Sequence, residues 1–84
     1  MTTSEVVAKA NLVPVPKGRM SRIGWYAGYL VVEYPPSKTH GASVYIHGPN
    51  VAECERDKLL KVPYPDSLLG QLKKKHSWQS LKVK

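Results

Sequence analysis

The residues best suited to chemistry lie near the C-terminal end, where Lys73, Lys74 and Lys75 stand side by side and Lys82 follows shortly after. Adjacent lysines spread over most of a helical turn, so they cannot all be buried. Lysine is a compact point charge that contacts phosphates without reading base sequence. The run therefore predicts a phosphate-binding surface. The alternative is a solvated helix end whose charge complements the helix dipole.

A second basic cluster lies in the N-terminal segment, where Lys17, Arg19 and Arg22 flank Gly18. A flexible arm of this kind can lie in a groove or on an acidic surface. An ordinary polar leader is the alternative. We include Arg19 and Arg22 among the predicted binding residues.

Aromatic side chains would add stacking to these charges. Trp78 lies between polar residues beside the lysines, so we expect it to be exposed and available for stacking. Tyr45 joins Trp25 and Tyr29 in a predicted stacking platform, because period-two alternation places Trp25 and Tyr29 on one sheet face. The alternative is that these rings fill the core, since the chain has no Phe.

Metal and catalytic motifs are missing from the sequence. The soft metal ligands are His40, His47, Cys54 and His76, and none of them shows zinc-site spacing. The sequence has no glycine-rich phosphate loop, no Gly-x-Ser-x-Gly and no carboxylate pair at a suitable spacing. We therefore expect no metal, no cofactor and no enzymatic activity.

Length and charge limit the class of protein. The 84 residues are enough for one domain with a thin core. Lys and Arg outnumber Asp and Glu by 13 to 6, a net charge of +7 that attracts polyanions. The single cysteine allows no intrachain disulfide, which is typical of a cytoplasmic protein, and no apolar run is long enough to span a membrane.

The middle of the chain predicts a small sheet. Residues 23–34 are rich in β-formers, and Ala27-Gly28 marks either a bulge or a hairpin turn that divides them. Residues 42–47 predict a second strand that pairs antiparallel with 29–34 through a polar turn. Residues 1–20 predict a flexible basic arm, and residues 21–84 a single domain.

The second half predicts helices. Asn50 is positioned to cap a short helical turn over 51–60. A longer helix is expected from Asp66 or Ser67 to Lys75, because leucines recur at helical spacing. Residues 78–84 predict a last strand or an arm. The expected fold is α+β, with an antiparallel sheet of three or four strands packed by one C-terminal helix.

The order of landmarks resembles the KTSC domain, a module named after the C-terminal region of some lysyl-tRNA synthetases. The matching landmarks are Ser21, Ile23-Gly24-Trp25-Tyr26, Leu30-Val31-Val32-Glu33-Tyr34, Val44-Tyr45-Ile46, Val62-Pro63, Leu69 with Leu72, Ser77 and Leu81-Lys82. The chain departs from that pattern at His47, where the family has a tyrosine, and in the longer stretch 48–61. The resemblance implies a small sheet with one packed helix and a conjectured nucleic-acid role.

Two functional hypotheses follow from these residues. The first is a nucleic-acid-binding module that uses mainly phosphate contacts. The second is a protein-binding inhibitor or adaptor of the viral type, which would cover an acidic or nucleic-acid-binding surface of a host protein. An edge strand near 13–15 or 42–47 also leaves a homodimer open.

Overall fold

The computed structural model describes residues 3–16, 18–39 and 41–83. In chain order its elements are α1 (Thr3–Lys9), β1 (Val13–Pro14), β2 (Arg22–Tyr26), β3 (Tyr29–Tyr34), β4 (Ser43–Gly48), α2 (Glu53–Lys61), α3 (Pro65–His76) and β5 (Gln79–Lys82). The strands form one sheet in the order β1-β2-β3-β4-β5, and every neighbouring pair is antiparallel. None of the described helices is long and apolar enough to cross a membrane.

The α+β class and the antiparallel sheet are confirmed, but the count of elements is not. The sheet has five strands where three or four were expected. The described residues form three helices, where one packed helix and a short helical turn over 51–60 were expected. Short edge strands such as β1 carry too few residues to produce a clear alternating pattern.

A hairpin turn at Ala27-Gly28 divides the long apolar segment. Both residues have positive φ, 52° and 85°, as a two-residue hairpin turn of type I′ requires. Tyr26 pairs with Tyr29 across it, and Trp25 pairs with Leu30. Residues paired across strands share a face. The expectation that Trp25 and Tyr29 share a face is therefore wrong, because the turn resets the alternation.

The pairing of β3 with β4 is confirmed, with Val32 opposite Tyr45 and Tyr34 opposite Ser43. β3 lies at the centre of the sheet. Its Leu30, Val31 and Val32 have no exposed surface, because both faces of this strand are covered.

Helix α1 covers one face of the sheet, where Val6 and Ala10 pack with Val31, Val44 and Ile46. The Ala10 carbonyl accepts a hydrogen bond of 3.0 Å from the Trp25 backbone N–H. Much of the segment predicted as a flexible arm is therefore a packed helix and an edge strand. The sequence does not predict this, because the docking depends on residues far along the chain.

The core on the opposite face of the sheet includes residues of α2 and α3. Leu59 of α2 and Leu69 and Leu72 of α3 form one core cluster with Ile23 and Leu30 of the sheet. This cluster occupies the β2 and β3 side of the face.

Trp78 also belongs to that cluster and is only 8% exposed, so the expectation of an exposed Trp78 is wrong. Ser77 ends α3 in the left-handed conformation, at φ 54°, and turns the chain back toward the sheet. This turn carries the Trp78 ring into the core, where it stacks on His76 with centroids 5.3 Å apart. The polar neighbours in sequence do not reveal the turn.

The helix starts also differ from expectation. α2 begins at Glu53 after Ala52, and no side chain caps it, so Asn50 is not the cap. Asn50 instead adopts a left-handed conformation, at φ 67°, in the connection from β4. α3 begins at Pro65, whose fixed φ suits the first turn of a helix.

Candidate functional site

A cleft of about 500 Å³ opens where α3 leaves the outer half of the sheet uncovered. We call it the β4 cleft, because strand β4 forms its floor. Its lining residues are Arg19, Tyr34, Ser43, Tyr45, His47, Asp66, Lys73 and Ser80.

The floor of the β4 cleft follows from strand alternation. In β4, Val44 and Ile46 face α1, so Ser43, Tyr45 and His47 face the other side. Tyr34 lies opposite Ser43, and Ser80 of β5 lies opposite His47. The floor therefore combines aromatic rings with hydroxyl groups.

The wall of the β4 cleft comes from α3 and from the connection between β1 and β2. Asp66 and Lys73 are two helical turns apart and so lie on one side of α3. The Arg19 backbone N–H donates a 2.7 Å hydrogen bond to Asp66 Oδ2. This bond holds the β1–β2 connection against α3. It involves only the backbone of Arg19, so the guanidinium takes no part in it.

The aromatic rings of the floor are packed against each other. Tyr34 and Tyr45 meet edge to face, with centroids 5.7 Å apart and planes at 82°. Tyr45 lies nearly parallel to His47 at 6.5 Å. Burial, with the nearby Asp66 carboxylate, raises the pKa of Tyr34, so its hydroxyl stays protonated at neutral pH.

His47 is the only buried polar or charged side chain among the described residues, at 3% exposure. Its Nδ1 lies 2.9 Å from Ser80 Oγ, and its Nε2 is buried without a hydrogen-bond partner in the described part of the chain. Burial, together with the positive charge of Lys73, lowers the pKa of His47 to about 4. The imidazole is therefore neutral at neutral pH.

The charges around the β4 cleft are predominantly positive. Arg19 and Lys73 contribute two cations and Asp66 one carboxylate. Lys82 pairs with Tyr45 across β4 and β5, so it adds a further cation on the same face. The cleft therefore attracts a ligand that carries at least one negative charge.

The structure brings only part of the predicted set together. Arg19, Tyr45 and Lys73 line the β4 cleft, and Lys82 lies beside Tyr45. Lys74 and Lys75 are exposed on α3 but do not line it.

Arg22 lies away from the predicted site. Arg22 pairs with Glu33 across β2 and β3, and Glu33 pairs with Val44 across β3 and β4. Because paired residues share a face and Val44 faces α1, Arg22 lies on the α1 face, away from the β4 cleft. Its guanidinium donates two hydrogen bonds of 2.7 Å to the Glu33 carboxylate. Two further residues considered in the sequence, Lys17 and His40, fall outside the described residues.

Sequence reasoning missed most of the floor of the β4 cleft, namely Tyr34, His47 and Ser80. One signal was available, because polar and aromatic residues alternate with Val44 and Ile46 along β4. The described residues include no cluster of three or more His, Cys, Asp or Glu side chains that would hold a metal ion. Cys54 is exposed on α2 and has no disulfide partner.

Comparisons with known protein families, with curated proteins and with solved structures find no match for this chain. The resemblance to the KTSC domain therefore stays a prediction.

Proposed function

We propose that this protein is a non-enzymatic binding module for single-stranded nucleic acid and that the strand lies across the β4 cleft. Arg19 and Lys73 would contact phosphates, and the Tyr45 ring would stack on a base. The observation that carries the proposal is the meeting of Arg19 and Lys73, far apart in sequence, above two tyrosines in one cleft. Cationic grooves with aromatic platforms are typical of single-strand binders.

The size of the β4 cleft supports a single strand over a duplex. Small-ligand pockets range from about 300 to 1,000 Å³, and this cleft, at about 500 Å³, lies within that range. It has room for one unstacked nucleotide with its phosphate. The rest of the strand would run along the exposed residues of β5, where Lys82 adds charge.

The overall charge supports the same partner. The net charge of +7 provides long-range attraction to a polyanion. Lys74 and Lys75 would strengthen this attraction without making cleft contacts. In this proposal the protein works in the cytoplasm, where its free cysteine stays reduced.

The Ser80–His47 contact also resembles a nucleophile beside a base, so we compare a hydrolase function with the binding function. A catalytic base works best with a pKa near the working pH, whereas the pKa of His47 is lowered to about 4. No third group orients His47, because its Nε2 has no partner among the described residues. Both observations favour a binding role.

The test is fluorescence anisotropy with labelled single- and double-stranded DNA and RNA, at roughly 50 and 200 mM salt. We expect micromolar or tighter binding of single strands that weakens steeply with salt. The double variant Arg19→Gln/Lys73→Gln should lose about tenfold or more in affinity, and its salt slope should fall by about 1.4, or about 0.7 for each lost phosphate contact.

The matched control is Lys74→Gln/Lys75→Gln, which removes the same charge outside the β4 cleft. A loss of affinity equal to that of the cleft variant would contradict a site in the cleft. If no polynucleotide binds even at the lower salt, the nucleic-acid proposal is wrong. The protein-binding inhibitor or adaptor would then be the hypothesis to pursue, by pull-down with acidic protein partners.

A further inference from the structure

The Ser80–His47 pair has more hydrogen-bonding capacity than the fold uses. Ser80 is exposed at the edge strand, and its Oγ meets His47 Nδ1 at 2.9 Å. A hydroxyl oxygen can donate one hydrogen bond and accept two, so this contact leaves capacity free on Ser80. The second imidazole nitrogen, Nε2, is buried without a partner in the described residues.

The same pair lines the β4 cleft together with Lys73, whose positive charge acts directly on His47. A phosphate held by Lys73 would therefore lie close to the Ser80–His47 pair.

We infer that the β4 cleft prefers RNA to DNA, because the Ser80–His47 pair binds the ribose 2′-hydroxyl of the nucleotide whose phosphate lies on Lys73. This inference rests on the proposed function. It adds the substrate class, since phosphate contacts alone do not distinguish the two nucleic acids.

The chemistry of the pair fits a hydroxyl in particular. A neutral imidazole has one donor and one acceptor nitrogen, so the Ser80 hydroxyl either donates to Nδ1 or accepts from it. In the first state Ser80 Oγ accepts a hydrogen bond from the ligand, and in the second it donates one. A 2′-hydroxyl both donates and accepts, so it can bond to Ser80 Oγ in either state.

The other cleft groups are compatible with this placement. Arg19 and Lys73 outweigh the single carboxylate of Asp66 by one charge, which matches one phosphodiester. The Tyr45 ring, next to His47 on the same strand, lies where the attached base would stack. His47 acts here as a positioning residue for Ser80.

The experiment compares oligonucleotides that differ only at the 2′ position. Labelled oligouridylate of about ten nucleotides, within the site sizes of single-strand binders, is measured against the deoxyuridine, 2′-fluoro and 2′-O-methyl versions of the same sequence. Uridine on both sides removes the thymine methyl group as a difference. We expect the ribose form to bind about 3- to 10-fold more tightly than the deoxy form, the effect of one hydrogen bond.

Substitutions at Ser80 and His47 test whether this pair causes the preference for RNA. Ser80→Ala should reduce the ratio of RNA to DNA affinity to about one. His47→Phe keeps a ring on the floor but cannot hold Ser80, so it should reduce the ratio as well. Ser67→Ala removes an exposed hydroxyl of α3 that does not line the cleft, and it should keep the full ratio.

The outcomes separate this inference from the proposed function. Salt-dependent binding of equal strength to the ribose and deoxy forms would overturn the RNA preference and leave the nucleic-acid proposal standing. A preference that survives in Ser80→Ala would also overturn the inference, because another group would then read the sugar. Absence of binding to either form would overturn both.

Discussion

The two faces of the sheet differ in how completely their helices cover them. On the α1 face, Val31, Val44 and Ile46 are closed off by Val6 and Ala10. On the opposite face, α2 and α3 cover the β2 and β3 side but leave Tyr45 and Ser43 of β4 only partly buried. The α1 face, called the closed face below, therefore combines its core with an uncharged cleft of about 430 Å³ beside Val6, Ile46 and Leu81. The other face combines a core with a positively charged cleft.

The same strand supplies both surfaces, which shows how alternation divides the two roles. β4 places Val44 and Ile46 on the closed face and Tyr45 and His47 on the open one. Substitutions on the closed face should therefore change stability, and substitutions in the β4 cleft should change binding. The predictions for Gly24, Tyr45 and Arg22 test that division.

The largest effect is expected from Gly24→Ala, on the closed face. A Cβ at Gly24 would collide with the Ala10 carbonyl oxygen, which accepts the hydrogen bond from Trp25. Because that partner is backbone, α1 must move away. We expect a loss of about 3 kcal/mol in the free energy of unfolding and a fall of roughly 12–24 °C in Tm, measured by thermal denaturation.

The control is Gly70→Ala, because a Cβ at Gly70 meets no atom within contact distance. Alanine in place of this helical glycine should raise Tm slightly. An unchanged Tm in Gly24→Ala would show that α1 is not docked on the sheet. That result would agree with the flexible arm predicted from the sequence.

The second effect is acid destabilisation through His47. Its pKa is about 4 in the folded protein and 6.5 when exposed, so between these values the unfolded chain binds a proton that the folded chain does not. Stability therefore falls as the pH drops from about 6.5 to about 4, by roughly 2 kcal/mol. Urea denaturation across this pH range measures it.

The variant His47→Gln isolates this contribution, because glutamine does not titrate while the carboxylates remain. Lys73, Tyr45 and Ser80, which surround His47, are unchanged in it. The fall in stability between pH 6.5 and pH 4 should be roughly 2 kcal/mol smaller than in the parent protein. Parallel curves for the two proteins would mean that His47 is not held neutral by burial.

The third effect is on binding and comes from Tyr45→Ala in the β4 cleft. Base stacking on an aromatic side chain contributes about 1–3 kcal/mol, so affinity for single strands should fall roughly 5- to 150-fold. Tyr45→Phe keeps the ring and should bind like the parent. Equal losses in both variants, measured by anisotropy, would show that the hydroxyl and not the ring makes the contact.

The smallest effect is expected from Arg22→Ala. Arg22 lies on the closed-face side and is held by Glu33, so its loss should change nucleic-acid affinity by less than about twofold beyond the general charge effect. Exposed ion pairs contribute about 0–1 kcal/mol, so stability should also change little. A loss of affinity as large as that of Arg19→Gln would extend the binding surface to the other face.

Part of this molecule is predictable from sequence for physical reasons. The β3–β4 pairing follows from strong β-formers on both sides of a polar turn, and α3 follows from leucines at helical spacing. The closed face of β4 also follows, because Val44 and Ile46 alternate with polar residues.

The remainder depends on contacts that no local pattern encodes. The docking of α1 requires the absence of a side chain at Gly24, and the burial of Trp78 requires the left-handed turn at Ser77. The β4 cleft itself depends on the bond between Arg19 and Asp66, which are 47 residues apart. Lysine runs mark charge in a sequence, but only the fold shows that Lys73 lies in the cleft.

An amide NMR titration with unlabelled oligouridylate is the most direct test of whether nucleic acid binds in the β4 cleft, because it reports both faces of the sheet at once. Binding in the β4 cleft would concentrate the shift changes on β4, on β5 and around Arg19 and Lys73, while α1 stays unchanged. Changes centred on α1, or spread evenly over exposed lysines such as Lys74 and Lys75, would contradict a binding site in the β4 cleft.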